Sequence, residues 1–251
     1  MNFKNLLYKF TKIKYRLNSI VYKIFRENFD LKINYDFEKF PKRWEIINLL
    51  IRELNMSKYL EIGVYKLENF SKIICEKKIG IDPKSSGHNI MQLTSDKFFK
   101  NNKEKFDLVF IDGLHQFNQV KRDIFNSLNI LNNRGLLLIH DCLPDRLRSQ
   151  MVPRSHDKWN GDVWKVIVDF RTHNSLFVGT IIADEGIALI FKIEDYQKVS
   201  LKLNYKKLDL TNFNKSNFKK LNFKDYYYNY NSYLNTITYN NFIDLLRIIK
   251  S

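Results

Sequence analysis

Two short stretches carry side chains suited to acid–base or metal chemistry. Phe110-Ile-Asp-Gly-Leu-His115 supplies Asp112 and His115, and Leu138-Ile-His-Asp141 supplies His140 and Asp141, each after an apolar run. Asp112, His140 and Asp141 together would be two carboxylates and an imidazole, a donor set that suits Mg²⁺, Mn²⁺ or Fe²⁺. His115 lies three residues past Asp112 and can act as a general base, because an ordinary imidazole titrates near neutrality. The plainer role for Asp112 and Asp141 is to cap the helices that follow them. A third place of interest is Glu61-Ile-Gly63, an acidic residue and a glycine at the end of an apolar run. A fourth is Gly80-Ile-Asp82-Pro83, twenty-one residues after Glu61. An acidic group there can accept hydrogen bonds from the ribose hydroxyls of an adenosine cofactor.

Groups so far apart in sequence meet only if their runs are neighbouring strands. From residue 58 onward, short apolar runs alternate with helical patterns, which reads as βαβ units and a parallel sheet. Strands are expected at 59–62, 78–81, around 90–93, 106–111 and 135–140, and helices at 67–76, 95–101, 117–131 and 161–171. Strands at 176–182 and 186–192 are separated by Ala183-Asp184-Glu185, short enough for a hairpin. In such sheets ligands bind beyond the carboxyl ends of the strands, where all four places fall. Residues 144–165 pass over those ends as a candidate substrate lid. Arg146 and Arg148 in it suit a phosphate or carboxylate, and Trp159 suits a sugar ring, whereas Trp164 reads as core.

Around this domain, expected at 41–200, lie two extensions. Residues 1–40 begin with a basic amphipathic helix over 1–30, continuous or broken, whose Phe3, Leu6, Leu7, Phe10, Ile13, Leu17, Ile20, Val21 and Ile24 fall at three- and four-residue spacing. Such a helix can lie on an anionic membrane, pack on its own domain, or join a second copy in a homo-oligomer. A further helix fits 42–54. Residues 201–251 drift into Lys, Asn and Tyr and read as a loosely packed appendage ending in a short helix at 242–249.

The chain has 251 residues, and 44% hydrophobic with 27% charged residues is an ordinary globular mixture. Two cysteines, Cys75 and Cys142, are too few for a disulfide framework or a four-cysteine zinc site. No run approaches the roughly 20 apolar residues of a spanning helix, and no secretory signal is recognisable, so a cytoplasmic protein is expected, either free or peripheral to the inner face of the membrane. The net charge is +15, but 31 of the 42 basic residues are lysine and 28 residues are asparagine. Both have AT-rich codons, and no nucleic-acid-binding motif accompanies the charge, so no specific nucleic-acid partner is expected.

Leu60-Glu-Ile-Gly-Val64, Ile79-Gly-Ile-Asp-Pro83, Phe106-Asp-Leu-Val-Phe-Ile-Asp-Gly-Leu-His115 and Gly135-Leu-Leu-Leu-Ile-His-Asp141 together resemble the class I S-adenosylmethionine-dependent methyltransferases. The resemblance is to the methyltransferase family 24-like, small-molecule and sugar O-methyltransferase branch, over about residues 59–192. It implies a Rossmann-like α/β fold with a seven-stranded, mostly parallel sheet and an antiparallel last strand. S-adenosylmethionine is the implied cofactor, with Glu61 and Gly63 on its methionine side, Asp82 on the ribose and Asp112 also lining the site. The implied activity is methyl transfer to a hydroxyl of a sugar, glycan or other small polar molecule, with Asp112 and His115 catalytic. Assistance by Mg²⁺ or another divalent ion would fall to Asp112, His140 and Asp141, with a histidine where many relatives carry a carboxylate. Lys66-Leu67-Glu68-Asn69 replaces the usual small residues of the first loop. A hydroxylase-like metal enzyme of the same fold, or a non-catalytic scaffold, are the alternatives.

Overall fold

Strands buried on both faces must be apolar at every position, and Leu108-Val-Phe-Ile111 and Leu136-Leu-Leu-Ile139 are such runs. In the computed structural model, which describes residues 3–196 and 218–250, they form the centre of the sheet as β4 (Phe106–Ile111) and β5 (Leu131–Ile139). Alternate side chains enter opposite layers: Val109, Ile111, Leu137 and Ile139 on one side, Leu108, Phe110, Leu136 and Leu138 on the other. The other strands are β1 (Lys58–Ile62), β2 (Lys77–Ile81), β3 (Ile90–Met91), β6 (Leu176–Ile181), β7 (Ile187–Lys192) and β8 (Thr236–Ile237). Their order is β3-β2-β1-β4-β5-β7-β6-β8. Among the described residues, only β7 runs antiparallel to its neighbours, β5 and β6. The order reverses between β1 and β4, the place where open parallel sheets hold their ligands.

One layer is built by α3 (Ser95–Asn101), α4 (Phe117–Ile130) and α6 (Val163–Phe170), the other by α2 (Arg43–Glu53). Trp164 is fully buried and donates its indole N–H to Gln150 Oε1 at 2.9 Å, the core role its spacing predicts. The short α5 (Leu147–Gln150) interrupts the segment after β5.

Two expectations fail. Residues 67–76 are not an α-helix; only a 3₁₀ turn forms, at Phe70–Lys72. Tyr65 and Leu67 take left-handed backbone (φ 39° and 64°), and Asn69 turns inward to donate to Glu61 at 2.8 Å. Phe70 and Ile73 are buried by that path, while the Lys78 ammonium takes the carbonyls of Phe70 and Ile73 at 2.9 and 2.8 Å.

The C-terminal appendage is not loose either. Residues 201–217 lie outside the described residues, but β8 adds an eighth strand beside β6, where seven were expected. Helix α7 (Phe223–Leu234) buries Phe223, Tyr226 and Leu234 in one layer. Helix α8 (Tyr239–Lys250) buries Phe242, Leu245 and Ile249 in the other. The tyrosine-rich composition hid a helix with an apolar stripe of ordinary spacing.

At the other end, α1 (Phe3–Phe25) is a 23-residue helix held through its polar side. Asn18 donates to the Arg154 carbonyl at 2.8 Å and Lys12 pairs with Asp157. Glu27, just beyond it, accepts the Phe223 N–H at 2.6 Å, joining the two ends of the chain.

Candidate active site

The carboxyl ends of β4 and β5 are adjacent, so the four side chains singled out in the sequence do converge. His115 Nε2 is 3.4 Å from Asp112 Oδ1, and His115 Nδ1 is 3.2 Å from Asp141 Oδ2. His140 Nδ1 lies 3.3 Å from Asp112 Oδ1 and 3.4 Å from Asp141 Oδ2. Neither aspartate caps a helix. The first N–H of α4, on Phe117, goes to Asp162 Oδ1 at 2.6 Å, and Asp141 accepts from Asn160 Nδ2 at 2.7 Å. Asp141 takes left-handed backbone (φ 61°) to turn its carboxylate towards β4, a strain characteristic of functional sites.

Burial by itself would lower both imidazole pKa values and raise the carboxyls. The mutual charges win. Asp141 and Asp112 lift His115 to about 9. His140 is raised well above its ordinary value by Asp112 and Asp141. Asp112 is held well below the usual carboxylate range by His140 and His115. At neutral pH His115 is therefore an imidazolium, not the free base expected from its ordinary pKa.

The same cluster fits a divalent cation. Asp112, His115 and Asp141 each offer one ligand atom, all within 4.8 Å of one another. His140 Nε2 donates to the Asp184 carbonyl at 2.7 Å, while its buried Nδ1 faces the two carboxylates without a hydrogen-bond partner. The set expected from sequence is Asp112, His140 and Asp141; the group whose ligand atoms lie together has His115 in place of His140.

At the end of β1, Gly63 has φ +93°, and a Cβ there would lie 2.2 Å from the Asp112 carbonyl oxygen. Only glycine lets the β1 loop pass this close to the β4 loop. Beyond it, the Leu67 N–H closes onto the Val64 carbonyl at 2.7 Å, so the loop keeps a tight, glycine-like path despite its larger side chains. Asp82 closes this loop from β2. Its Oδ2 accepts the Tyr65 N–H at 3.0 Å, and its Oδ1 accepts the N–H groups of Lys84 and Ser85 at 2.7 and 3.1 Å. Oδ2 keeps one acceptor position, enough for a ribose hydroxyl. Glu61 lies at the end of β1. It is 1% exposed, accepts from the Tyr59 hydroxyl at 2.6 Å and from Asn69, and burial raises its pKa to about 7. Through Asn69 it anchors the loop that follows β1.

Of the lid residues, Trp159 reaches the site and the two arginines do not. Its indole lies over His115, centroids 5.4 Å apart, and donates its N–H to the Met151 carbonyl at 2.7 Å. Arg146 lies beside Asp145 at 3.5 Å, and Arg148 lines a separate groove against α1. Three contributors escaped the sequence. Arg43, at the start of α2, has its Nε 3.7 Å from Asp112 and its guanidinium 3.2 Å from Asp184. Asp184 belongs to the turn read only as a hairpin, and Asn160 reads as an ordinary lid residue. The one available hint was the cationic Lys42-Arg43 pair opening a helix, where a helix dipole alone disfavours positive charge.

A family model described as a methyltransferase domain matches residues 69–142, a span that includes Asp82, Asp112, His115, His140 and Asp141. No curated protein matches the chain. Among solved structures it is similar to the SAH-bound Podospora anserina methyltransferase PaMTH1, with 15% identity, 62% of this chain and 80% of that one covered, and a TM-score of 0.47. An O-methyltransferase from Bacillus cereus in complex with SAH shares 12% identity, with 72% and 90% covered and a TM-score of 0.43. The O-methyltransferase TomG from Streptomyces achromogenes shares 12%, with 60% and 79% covered and a TM-score of 0.43.

Proposed function

We propose that this chain is a class I S-adenosylmethionine-dependent methyltransferase, and that it transfers the methyl group to a hydroxyl of a sugar or another small polar acceptor. The observation behind this is the convergence of Asp112, His115 and Asp141 at the β4 and β5 ends, beside the Gly63 loop and Asp82. S-adenosylmethionine, when bound, supplies a sulfonium methyl open to in-line displacement. Asp82 would hold its ribose through the open position on Oδ2, and the backbone of the Gly63 loop would line its other side. Trp159, half-buried between His115 and Arg154, would meet a sugar with the part of its ring that stays exposed.

His115 takes the acceptor's hydroxyl proton, and to do so it must first lose the proton that Asp141 and Asp112 hold on it. Turnover should therefore climb with pH towards about 9. Most of the acceleration comes from holding acceptor oxygen and methyl carbon in line. If a divalent ion were held instead by Asp112, His115 and Asp141, it would polarise the acceptor oxygen and so take the place of His115 as the group that activates the hydroxyl.

Calorimetric titration with S-adenosylmethionine and S-adenosylhomocysteine tests the reading, with Asp82→Ala as the control. Binding by the native chain that is lost in the variant supports it, and sugar acceptors can then be screened with and without Mg²⁺. A folded chain that binds neither compound would overturn it. Iron-dependent oxygen uptake in that case would move the assignment to a hydroxylase-like reaction, for which the two-carboxylate, imidazole donor set is equally suited.

A further inference from the structure

Helix α1 is amphipathic, yet it is docked the wrong way round for a helix whose purpose is to cover its own domain. The side turned to the body is polar: Lys12 pairs with Asp157, Asn18 donates to the Arg154 carbonyl at 2.8 Å, and the Tyr22 hydroxyl accepts from Gln150 at 3.3 Å. The opposite side carries Phe10, Ile13, Leu17, Ile20, Val21 and Ile24, each between 46% and 69% exposed. At 100° per residue these six fall within one stripe, opposite Tyr15, Asn18 and Tyr22. Burial of apolar area drives helix docking, so this stripe is shaped for something other than the domain beneath it.

We infer that α1 lays this stripe on an anionic phospholipid bilayer. Charge decides between a bilayer and a second copy of the chain. Residues 3–25 contain no Asp or Glu, while Lys14 and Arg16 border the stripe. Two such helices meeting face to face would set cation against cation with no acid within either helix to answer them, whereas anionic headgroups answer both. The chain as a whole, at +15, is drawn to the same surface.

A second feature supports the headgroup side of this contact. Along the Arg16 edge of the helix runs a groove of about 440 Å³, lined among others by Lys12, Arg16, Lys23 and Arg148, with Asp30 as its one carboxylate. Lys12 and Lys23 already pair with Asp157 and Asp30, which leaves Arg16 and Arg148 to meet a phosphate at the level of the headgroups. Among the described residues no helix is long and apolar enough to cross a membrane. The contact is therefore in the plane of the interface, with the apolar side of α1 sunk into the headgroup boundary.

The test is co-sedimentation of the full chain with vesicles, which needs no cofactor and so can fail or succeed independently of the methyl-transfer reading. Equal parts phosphatidylcholine and phosphatidylglycerol should bind the native chain, and phosphatidylcholine alone should bind it far less. Leu17→Asp should weaken partitioning about tenfold or more. Lys14→Glu with Arg16→Glu should weaken it by about fivefold or more for each charge lost. All three side chains are exposed, so circular dichroism and thermal midpoint should match the native chain. Native protein that stays in solution with anionic vesicles, or a Leu17→Asp variant that binds as the native chain does, overturns the inference. So does a native dimer that Leu17→Asp dissociates in the absence of any vesicle binding, because a second copy would then own the stripe.

Discussion

The indole of Trp159 lies over the imidazole of His115, with ring planes 29° apart, while the Trp159 carbonyl accepts the His115 Nδ1–H at 3.0 Å. One residue thus holds His115 in two ways, through ring contact and through backbone. The two can be separated. Trp159→Ala keeps the carbonyl and removes the ring, and should lower turnover about tenfold to a hundredfold by loosening His115. Trp159→Phe should restore most of it, and S-adenosylmethionine affinity should stay unchanged in both. Steady-state kinetics with calorimetry distinguishes this from collapse of the site, which would abolish cofactor binding as well.

Gly161 tests the same contact from the backbone side. It has φ +61°, and a Cβ there would stand 1.8 Å from the His115 carbonyl oxygen. Gly161→Ala cannot be accommodated without moving the His115 loop or the lid. Turnover should fall at least as far as in Trp159→Ala, and the thermal midpoint should fall by several degrees, which for a domain of this size corresponds to about 1–3 kcal/mol.

These contacts also show where sequence reading reaches and where it stops. Alternating and continuous apolar runs gave β1, β2, β4 and β5 to within a few residues, because buried parallel strands leave little choice of residue. The strand ends then placed Asp82, Asp112, His115, His140 and Asp141 at one edge of the sheet. What escaped depends on which way a loop turns. Leu67-Glu-Asn-Phe has good helical composition, yet the inward hydrogen bond from Asn69 to Glu61 and the left-handed Leu67 commit it to a loop. Arg43 and Asp184 are far apart in sequence and meet only through the packing of α2 against the β6–β7 turn. Nothing periodic marks such a pair. The Tyr- and Asn-rich tail misled for the opposite reason: composition suggested looseness, whereas Phe223 and Tyr226 in α7, and Phe242, Leu245 and Ile249 in α8, sit at helical spacing and are buried.

That last point is measurable. If α8 belongs to the core, Phe242→Ala should cost about 3–5 kcal/mol, as for other fully buried phenylalanines. Chemical denaturation should show one cooperative transition moved to lower denaturant. An unchanged midpoint would mean the tail contributes nothing to the fold.

Glu61 makes a prediction about pH. Burial raises its carboxyl to about 7 despite hydrogen bonds from Tyr59 and Asn69. A folded-state pKa above the unfolded one means that stability is fully present below the unfolded value, near 4.5, and is lost as pH rises through about 7. The native chain should therefore lose on the order of 2–3 kcal/mol across that window, before other groups are counted. Glu61→Gln cannot ionise, so its stability should lack this decline and should exceed the native value at alkaline pH. Denaturation midpoints across the pH series decide it, and parallel curves for the two proteins would refute the assignment.

Asp184 makes the opposite prediction, and Arg43 is its cause in part. Burial alone would raise the Asp184 carboxyl, but His140 and Arg43 hold it well below the ordinary range. The Arg43 backbone N–H donates to Asp184 Oδ2 at 2.9 Å, its guanidinium donates to the same oxygen at 3.2 Å, and its Nε lies 3.7 Å from Asp112. A depressed folded-state pKa gives stability that is present above the unfolded value, near 3.8, and is lost as pH falls below it. Arg43→Gln keeps the backbone bond but removes the charge that faces both carboxylates. It should cost about 2 kcal/mol at neutral pH, and the cost should shrink as the solution is acidified and the carboxylates protonate. The same substitution leaves Asp112 less well balanced against the two histidines, so the pH limb assigned to His115 should move upward. A variant that loses stability equally at all pH values, with an unmoved rate profile, would reduce Arg43 to a packing residue at the start of α2.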